Sequence, residues 1–152
     1  MNKNIDLSLQ KAQSQCQEIG LRLTEKRSKV LTLLLQAEEP LSAYDITDQF
    51  NKIFSESLSA MSAYRMLDFL MQANLAHKLE TSNQYLACSH ISCEHKHERP
   101  QFLICDQCHA VNEIGLSKPL LKELKDSIES TGFELSNHQL ELHGVCQECR
   151  AK

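Results

Sequence analysis

The chain has 152 residues, 41% of them apolar and 24% charged, enough for one domain or two small ones with an ordinary aqueous surface. No apolar run approaches the roughly 20 residues of a bilayer span, and the opening MNKNIDLSLQ lacks the apolar core of a signal peptide, so a cytoplasmic protein is expected. The net charge of −4 divides into −1 over residues 1–84 and −3 over 85–152, which counts against a broad basic surface for nucleic acid. Any DNA contact must therefore rest on a few locally placed cations.

The first half reads as helices. Leu9, Ala12, Cys16 and Ile19 recur at helical spacing, with Gly20 as a C-cap. Thr24 caps a second helix through Val30, Leu31 and Leu34 that must stop near Pro40. Ser42-Ala43-Tyr44-Asp45 is a capping-box variant, and the helix it opens should bury Ile46, Phe50 and Ile53. A fourth helix follows Ser57–Ser59, with Ala60, Ala63, Leu67 and Leu70 on one face and Asn74 at its end. Two extended pieces, Leu75–Glu80 and Gln84–Cys88, flank the turn Thr81-Ser82-Asn83. Small helices closed by a hairpin are the order of a winged helix-turn-helix, whose last helix enters the major groove.

Residues 89–100 are polar and rich in His and Cys. Then come a strand at Phe102–Cys105, another at Ala110–Ile114, a helix started by Ser117 and Pro119, and an alternating run from Phe133 to His143. The helix should align Leu120, Leu121, Leu124 and Ile128, and Gly132 should end it. A β-β-α-β unit of about 50 residues rarely stands without a metal or a partner subunit. The expected fold is α+β: a winged helix-turn-helix domain over 1–84, a linker rich in possible ligands over 85–100, and a small α/β domain over 101–152.

Six of the seven cysteines and all seven histidines lie after residue 76. In a reducing compartment such a set points to metal or redox chemistry. Cys105-Asp106-Gln107-Cys108 and Cys146-Gln147-Glu148-Cys149 are two C-x2-C knuckles, the spacing that turns four thiolates toward one tetrahedral zinc. A thioredoxin-like redox pair fits less well, because neither knuckle has a βαβ context. Four-thiolate zinc is structural: its binding free energy is folding free energy. A second, looser set comprises His77, Cys88, His90, Cys93, His95, His97 and Glu113. His77 and Cys88 fall on the two strands of the hairpin, so a site built from this set would join the two domains and suit metal sensing.

On the fourth helix, Arg65 can take a bidentate grip on guanine, and Tyr64 can meet a phosphate or a thymine methyl. Ser59 and Ser62 stand at the helix N-terminus, where anions are favoured. Arg22, Lys26, Arg27 and Lys29 could supply backbone contacts. The expected DNA-binding set is Tyr64, Arg65, Ser62, Ser59, Tyr44 and Arg22. An enzyme is not expected: H-E-x-x-H is absent, the deaminase H-x-E with P-C-x-x-C is absent, and four thiolates leave zinc no open position.

Several stretches together carry a resemblance. They are Leu21-Arg22-Leu23-Thr24-Glu25-Lys26-Arg27, Ser42-Ala43-Tyr44-Asp45, Tyr64-Arg65-Met66-Leu67-Asp68-Phe69-Leu70 and the run from His77 to Cys88. Phe102-Leu103-Ile104-Cys105-Asp106-Gln107-Cys108 and His143-Gly144-Val145-Cys146-Gln147-Glu148-Cys149 complete them. Over residues 7–149 the chain resembles the ferric uptake regulator family, and within it the zinc uptake regulators. The resemblance implies a homodimer that binds operator DNA through a winged-helix DNA-binding domain over 1–84, with a ligand-bearing linker over 85–100 and an α/β dimerisation and zinc-binding domain over 101–152, and that represses zinc-uptake genes when zinc is bound, with two zinc ions per protomer. It implies structural zinc at Cys105, Cys108, Cys146 and Cys149, and regulatory zinc at His77, Cys88, His97 and Glu113, with His95 as the alternative to His97. The thiolate of Cys88 favours zinc over an iron- or peroxide-sensing alternative within the family. The sequence departs from the family pattern at Ser62-Ala63, where Thr-Val is usual, and at Asn51, where a basic residue can pair neighbouring dimers. His138 matches a histidine that some members use at a further metal site.

Overall fold

The computed structural model describes residues 3–91, 100–136 and 139–152, which form parts of two compact units, Met1–Glu94 and His95–Lys152. The whole hairpin, and the segment that follows it to Ile91, thus belongs to the first unit, beyond the boundary placed at residue 84.

The first unit is built of α1 (Lys3–Glu18), α2 (Glu25–Gln36), α3 (Ala43–Phe54), α4 (Ala60–Gln72), β1 (Ala76–Leu79) and β2 (Gln84–Ala87). Each helix after the first starts where a hydroxyl can satisfy an orphan N–H. Thr24 accepts from Arg27 N, and Ser59 accepts from Ser62 N. Ser42 and Asp45 close a full capping box, with Asp45 N donating to Ser42 Oγ at 3.1 Å and Ser42 N to Asp45 Oδ2 at 2.9 Å. α2 is the central helix and packs on α1, α3 and α4. Its Val30, Leu31, Leu33 and Leu34 meet Ile46 and Phe50 of α3, Ala63, Leu67 and Leu70 of α4, and Ala12 and Cys16 of α1 in one apolar core.

Two side chains expected in this core are exposed. Ile19 lies beyond the end of α1, and in the last turn of α3 it is Phe54, not Ile53, that packs inward, its ring 5.0 Å from that of Phe50.

The turn between α3 and α4 is pinned rather than loose. Ser55 takes a left-handed conformation (φ 51°), Asn51 Oδ1 accepts from Leu58 N at 2.8 Å, and Lys29 reaches across from α2 to Glu56 at 2.5 Å. β1 and β2 pair antiparallel with Ala76 opposite Ala87 and Leu79 opposite Gln84. Asn83 turns the hairpin at φ 52°, a conformation Asn tolerates better than most residues. Reciprocal bonds between Leu41 and Tyr85, at 2.9 and 2.7 Å, tie the hairpin to the entrance of α3.

The second unit contains β3 (Gln101–Cys105), β4 (Val111–Ile114), α5 (Lys118–Glu129), β5 (Glu141–Gly144) and the short α6 (Gln147–Arg150). Its sheet runs β4-β3-β5, with β3 antiparallel to β4 and parallel to β5. The parallel neighbour requires the crossover that α5 provides. Of the alternating run Phe133–His143, only Glu141–His143 are in a strand among the described residues, because β5 can extend only as far as its partner β3. Apolar side chains of α5 align as expected, yet none is buried: Leu120 is 49% and Leu124 37% exposed.

Replacing Leu67, fully buried between α4 and α2, with alanine should cost about 2–5 kcal/mol of unfolding free energy in urea titrations of the full chain. A loss below about 0.5 kcal/mol would mean that α4 is not held by this core.

Candidate metal centres and DNA-reading surface

Cys105 ends β3 and Cys108 follows after a tight turn in which His109 adopts a left-handed φ of 61° and donates its N–H to Cys105 O. Cys146 caps α6, and Cys149 lies inside that single turn. The second knuckle is thus itself a helix turn, a feature its C-x2-C spacing does not reveal. β5 delivers it beside the first because Cys105 pairs with Gly144. The four sulfur atoms lie within 4.8 Å of one another, with Cys108 and Cys146 3.7 Å apart. A tetrahedron of sulfurs around zinc, at about 2.3 Å per bond, has edges of about 3.8 Å, so the donor set fits that ion.

The sulfurs are not equivalent. N–H groups of Cys108 and Cys146 donate to Cys105 and hold its thiol down to about 6. Hydrogen sharing with Cys146, followed by desolvation, pushes Cys149 up to about 12. Sequence reasoning also missed a brace on the first knuckle: His143 Nδ1 and Asp106 Oδ1 meet at 2.9 Å, and Asp106 N donates to Gly144 O. No spacing rule connects residues 37 positions apart; only the β3–β5 register brings them together.

In the first unit, His77 on β1 and Cys88 just after β2 place their donor atoms within 4.8 Å of each other. The pairing dictates this. Cys88 N donates to Leu75 O, so Cys88 stands opposite Leu75, and alternation along a strand puts residues 75, 77, 86 and 88 on one face. Cys88 is buried, as is Nε2 of His77. Glu113 lies on β4 of the second unit and is half-buried. His95, His97, Cys93 and His138 fall outside the described residues. Cys16, the cysteine apart from all these sets, belongs to the core, where burial pushes its thiol up against the opposing pull of Arg27.

α4 presents Met61, Tyr64, Arg65, Asp68 and Gln72 to solvent, opposite its buried face. Tyr44, in the first turn of α3, is 73% exposed. Ser59 is the N-cap, and its hydroxyl donates to Ser62 Oγ at 3.0 Å. Arg65, Ser62, Lys26 and Arg27 help line an open hollow of about 410 Å³ between the starts of α2 and α4. Two of the cations proposed for DNA are engaged within the protein. The Arg27 guanidinium lies 3.8 Å from the centre of the Phe69 ring and donates to Arg22 O, and Lys29 pairs with Glu25 and Glu56. Arg22 and Lys26 remain exposed.

The profile of the Ferric uptake regulator family matches residues 18–143 of the chain. The zinc uptake regulation protein of Escherichia coli K12 is 32% identical over 93% of this chain and 80% of its own length. Among solved structures, the chain is similar to a zinc uptake regulator complexed with zinc and DNA, with a TM-score of 0.83 and 28% identity over 99% of this chain and 97% of that one. It is also similar to holo XcZur, with a TM-score of 0.77 and 35% identity over 95% and 97% of the two chains.

Zinc uptake by the four-cysteine cluster should release protons in a pH-dependent number. At neutral pH the Cys105 sulfur is already a thiolate, whereas Cys149 must give up its proton, so fewer than four protons leave per zinc. As pH falls through about 6, Cys105 becomes protonated too; the count should rise and zinc affinity should fall more steeply. Competition with a chelator, read with a pH indicator, measures both, and a pH-independent affinity would contradict the cluster as zinc ligands.

Proposed function

Because the chain belongs to the ferric uptake regulator family, we propose that it is a zinc-responsive transcriptional repressor. It binds operator DNA as a homodimer in the cytoplasm and controls genes for zinc uptake. One observation carries the link from metal to DNA: the strands that bear His77 and Cys88 are joined to the reading helix through Leu75. Leu75 N donates to Leu70 O at the end of α4, and Cys88 N donates to Leu75 O, so the base of the hairpin and α4 form one hydrogen-bonded piece. Gln15 Nε2 donates to Ala73 O and fastens the same corner to α1.

Two zinc sites per protomer follow from this reading. Cys105, Cys108, Cys146 and Cys149 hold a structural ion and stabilise a unit with little buried surface. His77, Cys88, Glu113 and a histidine of residues 95–97, His97 in preference to His95, hold the regulatory ion. Zinc bound there supplies a divalent Lewis acid that gathers thiolate, imidazole and carboxylate donors into one coordination sphere. Cys88 must lose its proton for this, and its thiolate selects zinc over the iron of carboxylate-rich sites.

The chain then does the rest. Loss of orientational freedom lets the two α4 helices of a dimer meet successive major grooves, roughly 34–36 Å apart. A preference of about 3 kcal/mol for that arrangement changes operator affinity about a hundredfold. Tyr64, Arg65, Ser62, Ser59, Tyr44 and Arg22 form the DNA-facing set, and their exposure, or in Ser62 partial exposure, supports the assignment. The exposed apolar side chains of α5, with Leu103 and Leu142 on the sheet, give a second copy something to bury. A family relative selective for iron or peroxide is not favoured, because the 32% and 35% identical relatives are zinc regulators.

Cys88→Ser should leave fold and dimer intact but abolish the zinc dependence of operator binding in a gel shift. Unchanged zinc dependence would remove Cys88 from the sensor. Arg65→Ala should cost about 1–3 kcal/mol on the operator and less on random DNA, measured by fluorescence anisotropy. Equal losses on both would make Arg65 a phosphate contact.

A further inference from the structure

The reading face of α4 carries one side chain that neither the core nor the polar contacts account for. Met61 is 66% exposed in the first turn of the helix. The buried residues of α4 are Ala63, Leu67, Phe69 and Leu70, on the opposite side, so Met61 cannot join the core by changing rotamer. It precedes Tyr64 by three residues and Arg65 by four, which places all three on one stripe. That stripe begins beside the N-cap Ser59, at the end of the helix that enters the groove first.

A thioether can neither grip a phosphate nor make the hydrogen bonds that tell base edges apart. Within the major groove the apolar feature of a base edge is the C5 methyl of thymine, and apolar side chains are its partners. Methionine, unbranched and polarisable, adapts to such a target better than a stiff side chain. Four residues of helix advance about 6 Å, a little under two base-pair steps of about 3.4 Å. Resting on the repressor reading above, we propose that Met61 is a specificity-determining residue that reads a thymine methyl within about two base pairs of the guanine held by Arg65.

The test is selection of duplexes from a random, unmethylated pool by the zinc-loaded full chain, followed by single-atom-group changes in the selected half-site. Loss of preference in Arg65→Ala locates the guanine. The native chain should enrich thymine at one position within about two base pairs of it. Replacing that thymine by deoxyuridine, which removes only the methyl, should weaken binding by the native chain about fourfold, the worth of one buried methyl-sized group. Met61→Ala should bind the two duplexes equally, and Met61→Leu should restore the discrimination. The inference is overturned if deoxyuridine is tolerated at every thymine in reach, or if Met61→Ala keeps the full penalty. Enrichment of no sequence at all by the zinc-loaded native chain would sink the repressor reading itself, a result distinct from sequence-selective binding that ignores the methyl.

Discussion

Four sulfur atoms brought together by the β3–β5 register are the constraint on which the second unit depends. Among its described residues only Gln101, Phe102 and Cys105 are buried, and Gln101 is spent on a backbone bond to Leu140 N. Strands of four or five residues with one enclosed aromatic ring have too little apolar area to offset the chain entropy of folding. The structural ion proposed above would tie the end of β3 to the last helix turn and supply what burial does not, and the apolar α5 and sheet side chains left open offer a surface for a second copy. The unit is thus built to be completed by what it binds.

The first unit is built the opposite way. One continuous core holds α2 against all three other helices, and specific contacts brace the joints between elements: Asn51 to Leu58, Lys29 to Glu56, Arg27 over Phe69, and Leu41 to Tyr85. Two of the cations are therefore structural. Arg22, Lys26 and Arg65 stay exposed, and with a net charge of −4 the proposed DNA binding rests on such locally placed groups rather than on bulk electrostatic attraction.

Much of this was legible in the sequence where the signal is local. The helix starts at Thr24, Ser42 and Ser117, the helix ends at Gly20, Asn74 and Gly132 and the turn at Thr81-Ser82-Asn83 all depend on a few neighbouring residues; the structure shows side-chain caps at the first three and left-handed backbone at Gly20, Asn74, Asn83 and Gly132. What was missed depends on distant partners. The limit of β5 is set by β3, the inward turn of Phe54 instead of Ile53 by Phe50 and the core beyond it, and the His143–Asp106 brace by strand register. The donor pair lies between these cases. Its two residues are eleven apart, but the hairpin pairing that joins them follows from alternation and a turn at Asn83, both readable from sequence.

A sensor made this way must express metal binding as orientation. An ion that interacts equally with two arrangements shifts neither, however tightly it is held, so its donors have to sit where one arrangement can supply them all and the other cannot. His77 and Cys88 alone cannot do this. Both stand on the hairpin, which is hydrogen-bonded to α4 through Leu75, and the β1–β2 pairing sets their separation. In the proposed regulatory set the discriminating donors are those outside the hairpin, and Glu113, a carboxylate on β4, is of that kind. If that proposed set holds, the thiolate and the imidazole set which ion is chosen, while the carboxylate and the remaining histidine set what the choice does. Weakening the first pair would change metal affinity and selectivity; weakening the second would uncouple binding from DNA affinity while leaving the ion in place.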